Sequence, residues 1–485
     1  MPFKDLHEFI AFLEQKGQLK RITAQVSPVL EIPEITDRVC KAREGNVALL
    51  FERPEGSSIP VLINTFGTEQ RTCWALGVER LDELGERVTK LLALDIPHSL
   101  VDKIRKLMEL SEVARFGPRM VDEAPCQEVV ETQNPSLAEL PILKCWPQDG
   151  DRYITLPLVF TRDPASGRRN VGTYRLQVYD DQTLGMHWHI HKGGAEHYRH
   201  SSEEDRRLPV AIALGADPAT IYSGTCPLPP IVDEILFSGW LRRERVDMVK
   251  CKTIDLEVPA HAEIILEGYV DPEEHATEGP FGDHTGYYSL QDEYPVFHLT
   301  ALTRRRDAIY PSIIVGRPPM EDVWMGKATE RLFLPLLQMT QPEIVDINMP
   351  FEGSFHNLVL VSIKKAYPGQ ARKVMYGIWS TGLLMLAKNV IVVDADVNVQ
   401  DPAEVVWRVA NNIDPRRDVV FADGPLDALD HASADSHYGS KMGIDATKKG
   451  PMDGHTRPWP DDVVMSPEIK ALVDRRWREY GIELG

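Results

Sequence analysis

The sequence predicts an α+β multidomain protein, with an N-terminal αβ region, a central antiparallel sheet or barrel and a C-terminal α/β section. Three observations predict it. Helix-like and strand-like runs intermix over the first 125 residues, and short apolar or alternating runs separated by turns fill about 152 to 316. Beyond that, strand and helix alternate. At 485 residues the chain is also longer than one compact core organises.

Each element has a local reason. Leu6, Phe9, Ile10 and Leu13 recur at helical spacing, and Gly17 stands where a C-terminal cap belongs. A second helix is expected from Leu81 to about Leu94, with Leu81, Leu84, Val88 and Leu91 on one face. Between them, Ala48–Phe51 and Val61–Asn64 suit strands. The proline-rich stretch from Ala124 to Pro147 marks a first boundary. Central strands are expected at Ile154–Phe160, Val171–Tyr179, Val210–Leu214, Ala262–Val270, Val296–Thr303 and Ile309–Val315. Leu358–Ile363 then reads as a buried strand, Gln370–Lys388 as a long helix and Asn389–Val393 as a further strand. Asp401-Pro402 reads as an N-cap followed by proline at the first helical position. Pro467–Tyr480 is a charged terminal helix suited to packing on a partner subunit.

Composition removes several classes. With 43% hydrophobic and 26% charged residues the chain is neither disordered nor fibrous. Its net charge of −19 repels phosphate backbones, and the densest basic run, Arg304-Arg305-Arg306, is followed at once by Asp307 and reads as the wet end of a strand. No nucleic-acid partner is expected. The most apolar stretch, Ile378 to Val393, is interrupted by Lys388 and Asn389, so no membrane span is expected. The first residues carry charge where a signal peptide needs an apolar run, and six scattered cysteines contain no CxxC pair. Reduced thiols and a cytoplasmic location are expected.

No GxGxxG follows a strand, and neither GxxxxGK[ST] nor GxSxG occurs, which argues against a standard dinucleotide fold, a P-loop NTPase and an α/β-hydrolase. Three constellations remain. In Glu278-Gly-Pro-Phe-Gly-Asp283-His284, two carboxylates flank a tight bend; held together, one would be pushed towards a protonated form able to act as a general acid. The plain alternative is a surface turn with solvated acids. In His187-Trp188-His189-Ile190-His191-Lys192-Gly193, a strand would place three imidazoles on one face, either as metal ligands or as a polar lining, and Lys192-Gly193 suits a phosphate. In Asn170-Val-Gly-Thr-Tyr-Arg175, an amide oxygen and a guanidinium suit a metal and a carboxylate, or an ordinary strand.

Together these stretches resemble the UbiD family of decarboxylases, which use prenylated FMN. The resemblance runs through nearly the whole chain: Asp5-Leu-His-Glu-Phe, Gly17-Gln-Leu-Lys-Arg-Ile, Ala48-Leu-Leu-Phe-Glu, Cys145-Trp-Pro, Asn170-Val-Gly-Thr-Tyr-Arg, Leu214-Gly-Ala-Asp-Pro-Ala-Thr, Glu278-Gly-Pro-Phe-Gly-Asp-His-Thr-Gly-Tyr-Tyr, Gly316-Arg-Pro-Pro and Lys441-Met-Gly-Ile-Asp-Ala-Thr-Lys. Each is weak alone; their number and order carry the assignment. It implies an N-terminal αβ region over 1–125, a central flavin-reductase-like split β-barrel over 126–318 and a C-terminal α/β oligomerisation domain over 319–485.

The resemblance also implies the chemistry. Losing CO₂ from an sp² carbon leaves an electron pair that no side chain absorbs, so a cofactor must take it. The family's triad falls on Arg175, Glu278 and Asp283: Arg175 holds the substrate carboxylate or the cofactor, Glu278 is its ionic partner and Asp283 returns a proton to carbon. Cofactor contacts fall on Thr173, Tyr174, Arg175, His187, Trp188, His189, Lys192 and Gly193, with Lys388 as a further phosphate contact. Metal ligands fall on Asn170 and Glu234, with His191 as the third candidate; oxygen donors suit Mn²⁺ or Mg²⁺, and K⁺ is a further candidate. The partners implied are a small-molecule carboxylic acid, a flavin prenyltransferase that supplies the cofactor, and further copies of the chain in a homodimer or homohexamer. The expected activity is reversible non-oxidative decarboxylation of an aromatic or α,β-unsaturated acid. A quinone precursor, particularly a menaquinone-pathway acid, leads on the likeness of 186–192 and 316–322 to members tied to quinone biosynthesis. Other hydroxyaryl, polycyclic or natural-product acids are the alternative; a metal-only hydrolase and a non-catalytic flavin-binding scaffold are more remote.

Overall fold

A computed structural model of the chain describes residues 3–92, 115–188, 193–229 and 231–483. The N-terminal helix, Leu6–Gln15, starts at Asp5, whose side chain accepts from the Glu8 N–H, and it buries Leu6, Phe9, Ile10 and Leu13. Gly17 follows at φ +65°, the left-handed geometry that glycine adopts freely. Next comes a four-stranded sheet in the order Leu19–Val26, Ala48–Pro54, Val61–Ile63, Tyr310–Ser312. Its last strand comes from the far end of the central section and pairs in parallel with Val61–Ile63. The Ile309–Val315 run therefore belongs to the N-terminal sheet, not the central one. The helix expected from Leu81 is Asp82–Leu92, preceded by two helices that were not expected, Glu31–Cys40 and Glu69–Leu76; its expected continuation to Leu94 lies outside the described residues.

The central sheet has nine strands, and every pairing in it is antiparallel. Its path runs Tyr153–Ile154, Leu176–Val178, Thr183–Met186, Asp292–Arg304, Ile264–Glu278, Leu208–Leu214, Pro157–Arg162, Arg169–Gly172, and Val129–Glu131 adds to Asp292–Arg304. The two runs expected as single strands, Ile154–Phe160 and Val171–Tyr179, are each broken in two. The breaks explain the shape. Ile154 ends one edge of the path and Pro157 starts a strand six steps away, which would be about 29 Å on a flat sheet, yet three virtual bonds span only about 11 Å. Gly172 and Leu176 make the same jump in the opposite direction. The sheet must roll until its ends approach, and Thr173-Tyr174-Arg175 lies at the crossing.

The C-terminal sheet has the order Ile344–Asn348, Leu358–Ile363, Asn389–Asp394, Tyr438–Asp445, Val419–Pro425, with its three central strands parallel. Helix Asp322–Thr340 leads into it. The long helix expected over Gln370–Lys388 ends at Ile378 and is followed by a separate 3₁₀ turn, Gly382–Leu386, with Thr381 extended between the two and Gly382 at φ +47°. Asp401 caps helix Pro402–Asn412 as expected, accepting from Ala403 N and Glu404 N. Helix Pro467–Arg476 buries no residue, and Val463, Val464 and Met465 before it are exposed. All six cysteines are free. Among the described residues no helix is long and apolar enough to cross a membrane.

Candidate active site

Three elements converge on one guanidinium. Arg175 sits in the crossing between strands Arg169–Gly172 and Leu176–Val178, Glu278 is the last residue of Ile264–Glu278, and Asp283 lies in the bend that follows. Arg175 Nε donates to Glu278 Oε1 at 2.7 Å and Nη2 to Oε2 at 3.2 Å, while Nη1 donates to Asp283 Oδ2. The guanidinium also lies 4.6 Å from the Phe281 ring centroid. His187 continues the register beyond Met186: its N–H donates to Arg175 O at 3.4 Å, its ring lies 4.4 Å from that of Tyr294, and Nδ1 is 3.1 Å from Glu278 Oε2.

The surface-turn alternative fails, since Glu278 is 0% exposed and Asp283 6%. So does the expectation that like charge would hold one carboxyl protonated. Burial pushes both pKa values up, but the cation between the carboxylates outweighs it. His187 and Arg175 hold Glu278 down at about 2, and Arg175 with His284 holds Asp283 well below its ordinary range. Burial, then the neighbouring Arg175, lowers the His187 pKa and keeps the ring neutral. The resting site is an arginine shared by two ionised acids.

A wall of the site carries unsatisfied polar atoms. Among the described residues, Thr173 Oγ1 and Trp188 Nε1 are buried without a hydrogen-bond partner, although the Thr173 N–H donates to Gly224 O at 2.9 Å. Such atoms cost stability unless a ligand satisfies them, and both lie among the residues expected to hold a cofactor. Tyr174 is buried, its hydroxyl 3.3 Å from Asn170 Nδ2 and accepting from Gly194 N at 3.3 Å. Gly193 has no room for a side chain, because a Cβ there would lie 2.1 Å from Asn170 Oδ1. The unsatisfied polar atoms suit a ligand that forms hydrogen bonds. Glu234, the first residue of helix Glu234–Arg242, whose N-cap is Asp233, accepts from Val171 N, next to Asn170, at 3.1 Å; burial pushes its carboxyl up to about 7. The Glu234 carboxylate thus reaches the residue next to Asn170, the two positions expected to hold a cation, while no three His, Cys, Asp or Glu gather among the described residues. His189, His191 and Lys192 lie outside the described residues, while Gly193 opens helix Gly193–Glu203. Lys388 pairs with Asp430 at 2.6 Å.

Some contributors were not apparent in sequence. Asp149 is buried and accepts from Cys145 N at 3.1 Å, Trp146 N at 2.8 Å and Gly282 N at 2.8 Å, tying the 279–291 bend to the Cys145-Trp146 segment. Burial pushes its pKa up to about 6. Gln177 Oε1 accepts from Gly279 N at 2.7 Å and from Tyr153 OH at 2.9 Å. Ser289 Oγ meets Phe281 N at 3.1 Å. The available signal was an aspartate following Cys-Trp-Pro, which spacing alone does not connect to residue 282. Arg305, read as a wet strand end, instead bonds Asp5 and Asp307 at 3.1 Å each and lies 3.9 Å from buried Glu263.

Comparison with known proteins supplies the remaining context. Three family models match consecutive parts of the chain: the N-terminal domain of 3-octaprenyl-4-hydroxybenzoate carboxy-lyase over residues 10–88, its Rift-related domain over 119–318 and its C-terminal domain over 323–446. The chain is 54% identical to an uncharacterized protein of Archaeoglobus fulgidus over 481 residues and 51% identical to one of Aquifex aeolicus over 482, covering 99% of both chains each time. Among solved structures it is similar to the UbiD-class enzyme HmfF from Pelotomaculum thermopropionicum in complex with FMN, with TM-score 0.81, 30% identity and coverage of 97% and 99% of the two chains. It is also similar to vanillic acid decarboxylase from Sedimentibacter hydroxybenzoicus in closed form, with TM-score 0.85, 28% identity and full coverage of both. With three domain models matched in chain order and near-complete relatives at over half identity, the chain belongs to the UbiD family of carboxy-lyases.

Proposed function

We propose that the protein catalyses reversible non-oxidative decarboxylation of an aromatic or α,β-unsaturated carboxylic acid, with prenylated FMN held against the rolled central sheet as in a split β-barrel. A quinone precursor is the first candidate substrate; another hydroxyaryl, polycyclic or natural-product acid is the second. The observation that carries the reading is the buried Arg175 shared by Glu278 and Asp283, beside the unpartnered Thr173 Oγ1 and Trp188 Nε1. The similarity to HmfF, which has been seen with FMN and with prFMN, supports the choice of cofactor.

When bound, the modified flavin would supply the electron sink that CO₂ loss requires. Thr173, Tyr174, His187, Trp188 and Gly193 would hold it, and Asn170 with Glu234 would hold Mn²⁺ or Mg²⁺ at its phosphate. Arg175 receives the substrate carboxylate by bidentate hydrogen bonding. Doing so takes guanidinium donors away from Asp283, which loses the charge that depresses its pKa and becomes able to carry a proton. Glu278, still bound by Arg175 and His187, keeps the guanidinium oriented. Once CO₂ has left, Asp283 delivers its proton to the vacated carbon. We further place domain divisions at 125/126 and 318/319, expect a cytoplasmic homo-oligomer, and expect a flavin prenyltransferase as cofactor supplier.

The test is co-expression with such a prenyltransferase, mass spectrometry of the bound cofactor, and a panel of aromatic and enoic acids assayed for CO₂ release and for deuterium incorporation at the product carbon. Asp283→Asn is expected to retain the cofactor while losing at least about 10²-fold in product protonation. Full turnover by that variant removes Asp283 as the acid. Cofactor binding with no CO₂ from any acid favours a scaffold.

A further inference from the structure

Asp283 uses its two oxygens differently. Oδ2 receives Arg175 on the side where the substrate carboxylate would bind, and Oδ1 lies 2.9 Å from His284 Nδ1 and accepts the His284 N–H at 2.7 Å. The next residue in the chain thus presents a titratable ring to the rear of the proposed acid. Every turnover consumes a proton, since RCOO⁻ plus H⁺ gives RH plus CO₂. Asp283 holds one at most and is almost wholly buried. Among the groups bonded to it, Arg175 does not release a proton in the neutral range. The His284 ring is the other, and 18% of its side chain remains exposed.

We propose that His284 reloads Asp283 with a proton during each catalytic cycle, through the Nδ1–Oδ1 contact. The inference rests on the decarboxylase reading above. In the step, the Nδ1–H bond of the imidazolium breaks as the Oδ1–H bond of Asp283 forms. That proton goes to the carbon that lost CO₂, and a solvent proton restores the imidazolium. No other reactant is needed.

The surroundings of the ring favour the charged form. Asp283 faces it from the same bend, Asp322 from the head of helix Asp322–Thr340, and Asp427 from the segment after strand Val419–Pro425; Arg175 lies behind Asp283. Asp427 in turn pairs with His356 at 3.2 Å, and the Phe355 ring lies 5.1 Å from that of His284. Burial lowers the His284 pKa, but its bond to Asp283 and the three acids outweigh burial and raise it. Asp322 Oδ1 is buried without a hydrogen-bond partner among the described residues. Residues from the C-terminal section therefore complete the rear of a centre whose front belongs to the central sheet.

The experiment compares cofactor-loaded wild type, His284→Asn and His284→Ala across pH with an acid that the wild type decarboxylates. Asparagine keeps a donor towards Asp283 but cannot ionise. The expected result is retained cofactor absorbance and KM, a loss of at least about 10-fold in kcat, and disappearance of the alkaline limb where wild-type kcat falls as the imidazolium deprotonates. Added imidazole is expected to restore at least part of the His284→Ala rate. Wild-type rate and pH profile in His284→Asn would overturn the relay while leaving the decarboxylase reading intact, as would loss of rate in both variants with the alkaline limb kept and no rescue. A wild type that releases CO₂ from no acid, or an Asp283→Asn variant at full rate, would remove the parent reading and the relay with it.

Discussion

Glu278 receives two bonds from Arg175 and one from His187 at zero exposure, so its charge is useful to the fold as well as to the site. Its folded pKa of about 2 lies below the ordinary 4.5. For a depressed carboxylate, the stabilisation is fully present above the ordinary value and is lost as pH falls through the folded one, here from about 4.5 to about 2. The size is on the order of 3 kcal/mol, from 1.36 kcal/mol for each pKa unit. Urea unfolding of the wild type should lose midpoint steadily across that window, and Glu278→Gln should start lower at pH 7 and change less. Equal slopes for the two proteins would show that the charge contributes nothing to acid sensitivity. Asp149 has the opposite sign: burial raises its pKa to about 6, so its contribution favours the fold at low pH and weakens as pH rises through that value.

At the scale of elements, the bend between the Ile264–Glu278 and Asp292–Arg304 strands decides where Asp283 points. Gly282 is its tightest position: a Cβ would lie 2.2 Å from Trp146 Cδ1, and Trp146 is fixed by its Nε1 bond to Val315 O at 2.8 Å. Gly282→Ala should therefore cost about 1–3 kcal/mol in denaturant unfolding and reduce CO₂ release more than it reduces cofactor retention. An alanine variant with native stability and activity would mean that the bend tolerates movement. This bend was legible in sequence because Gly-Pro-Phe-Gly forces a turn and carboxylates flank it. Arg175 as a partner was legible only through family likeness, since 103 residues separate it from Glu278. The strand breaks at 155–156 and 173–175 were not legible, because the apolar pattern continues through them; they arise from the rolling of the sheet, a property of long-range pairing that local patterning does not encode. The break between Ile378 and Gly382 had a local sign in the Ser-Thr-Gly that follows Trp379, yet the apolar run around it read as uninterrupted helix.

At the scale of the whole molecule, the last stretch is covered by little of its own chain. Val463 is fully exposed, Val464 and Met465 are more than half exposed, and helix Pro467–Arg476 buries nothing, while Asp462 is still tied to Arg408 at 2.7 Å. Apolar residues in this position suit contact with a second copy. A chain ending at Asp462 should fall to a smaller assembly by light scattering, whereas the full chain should give an integer multiple of 54.7 kDa. An unchanged assembly would place the interface elsewhere. The strand Tyr310–Ser312 has a different consequence. Because it completes the sheet begun by Leu19–Val26, the first strands leave the ribosome with an unmatched edge until some 250 further residues have been added. At 5–20 residues per second that wait lasts roughly 12–50 seconds. An isolated amino-terminal fragment should thus be sticky rather than an independent folding unit, and nascent chains stalled before Tyr310 should be the ones that chaperones retain.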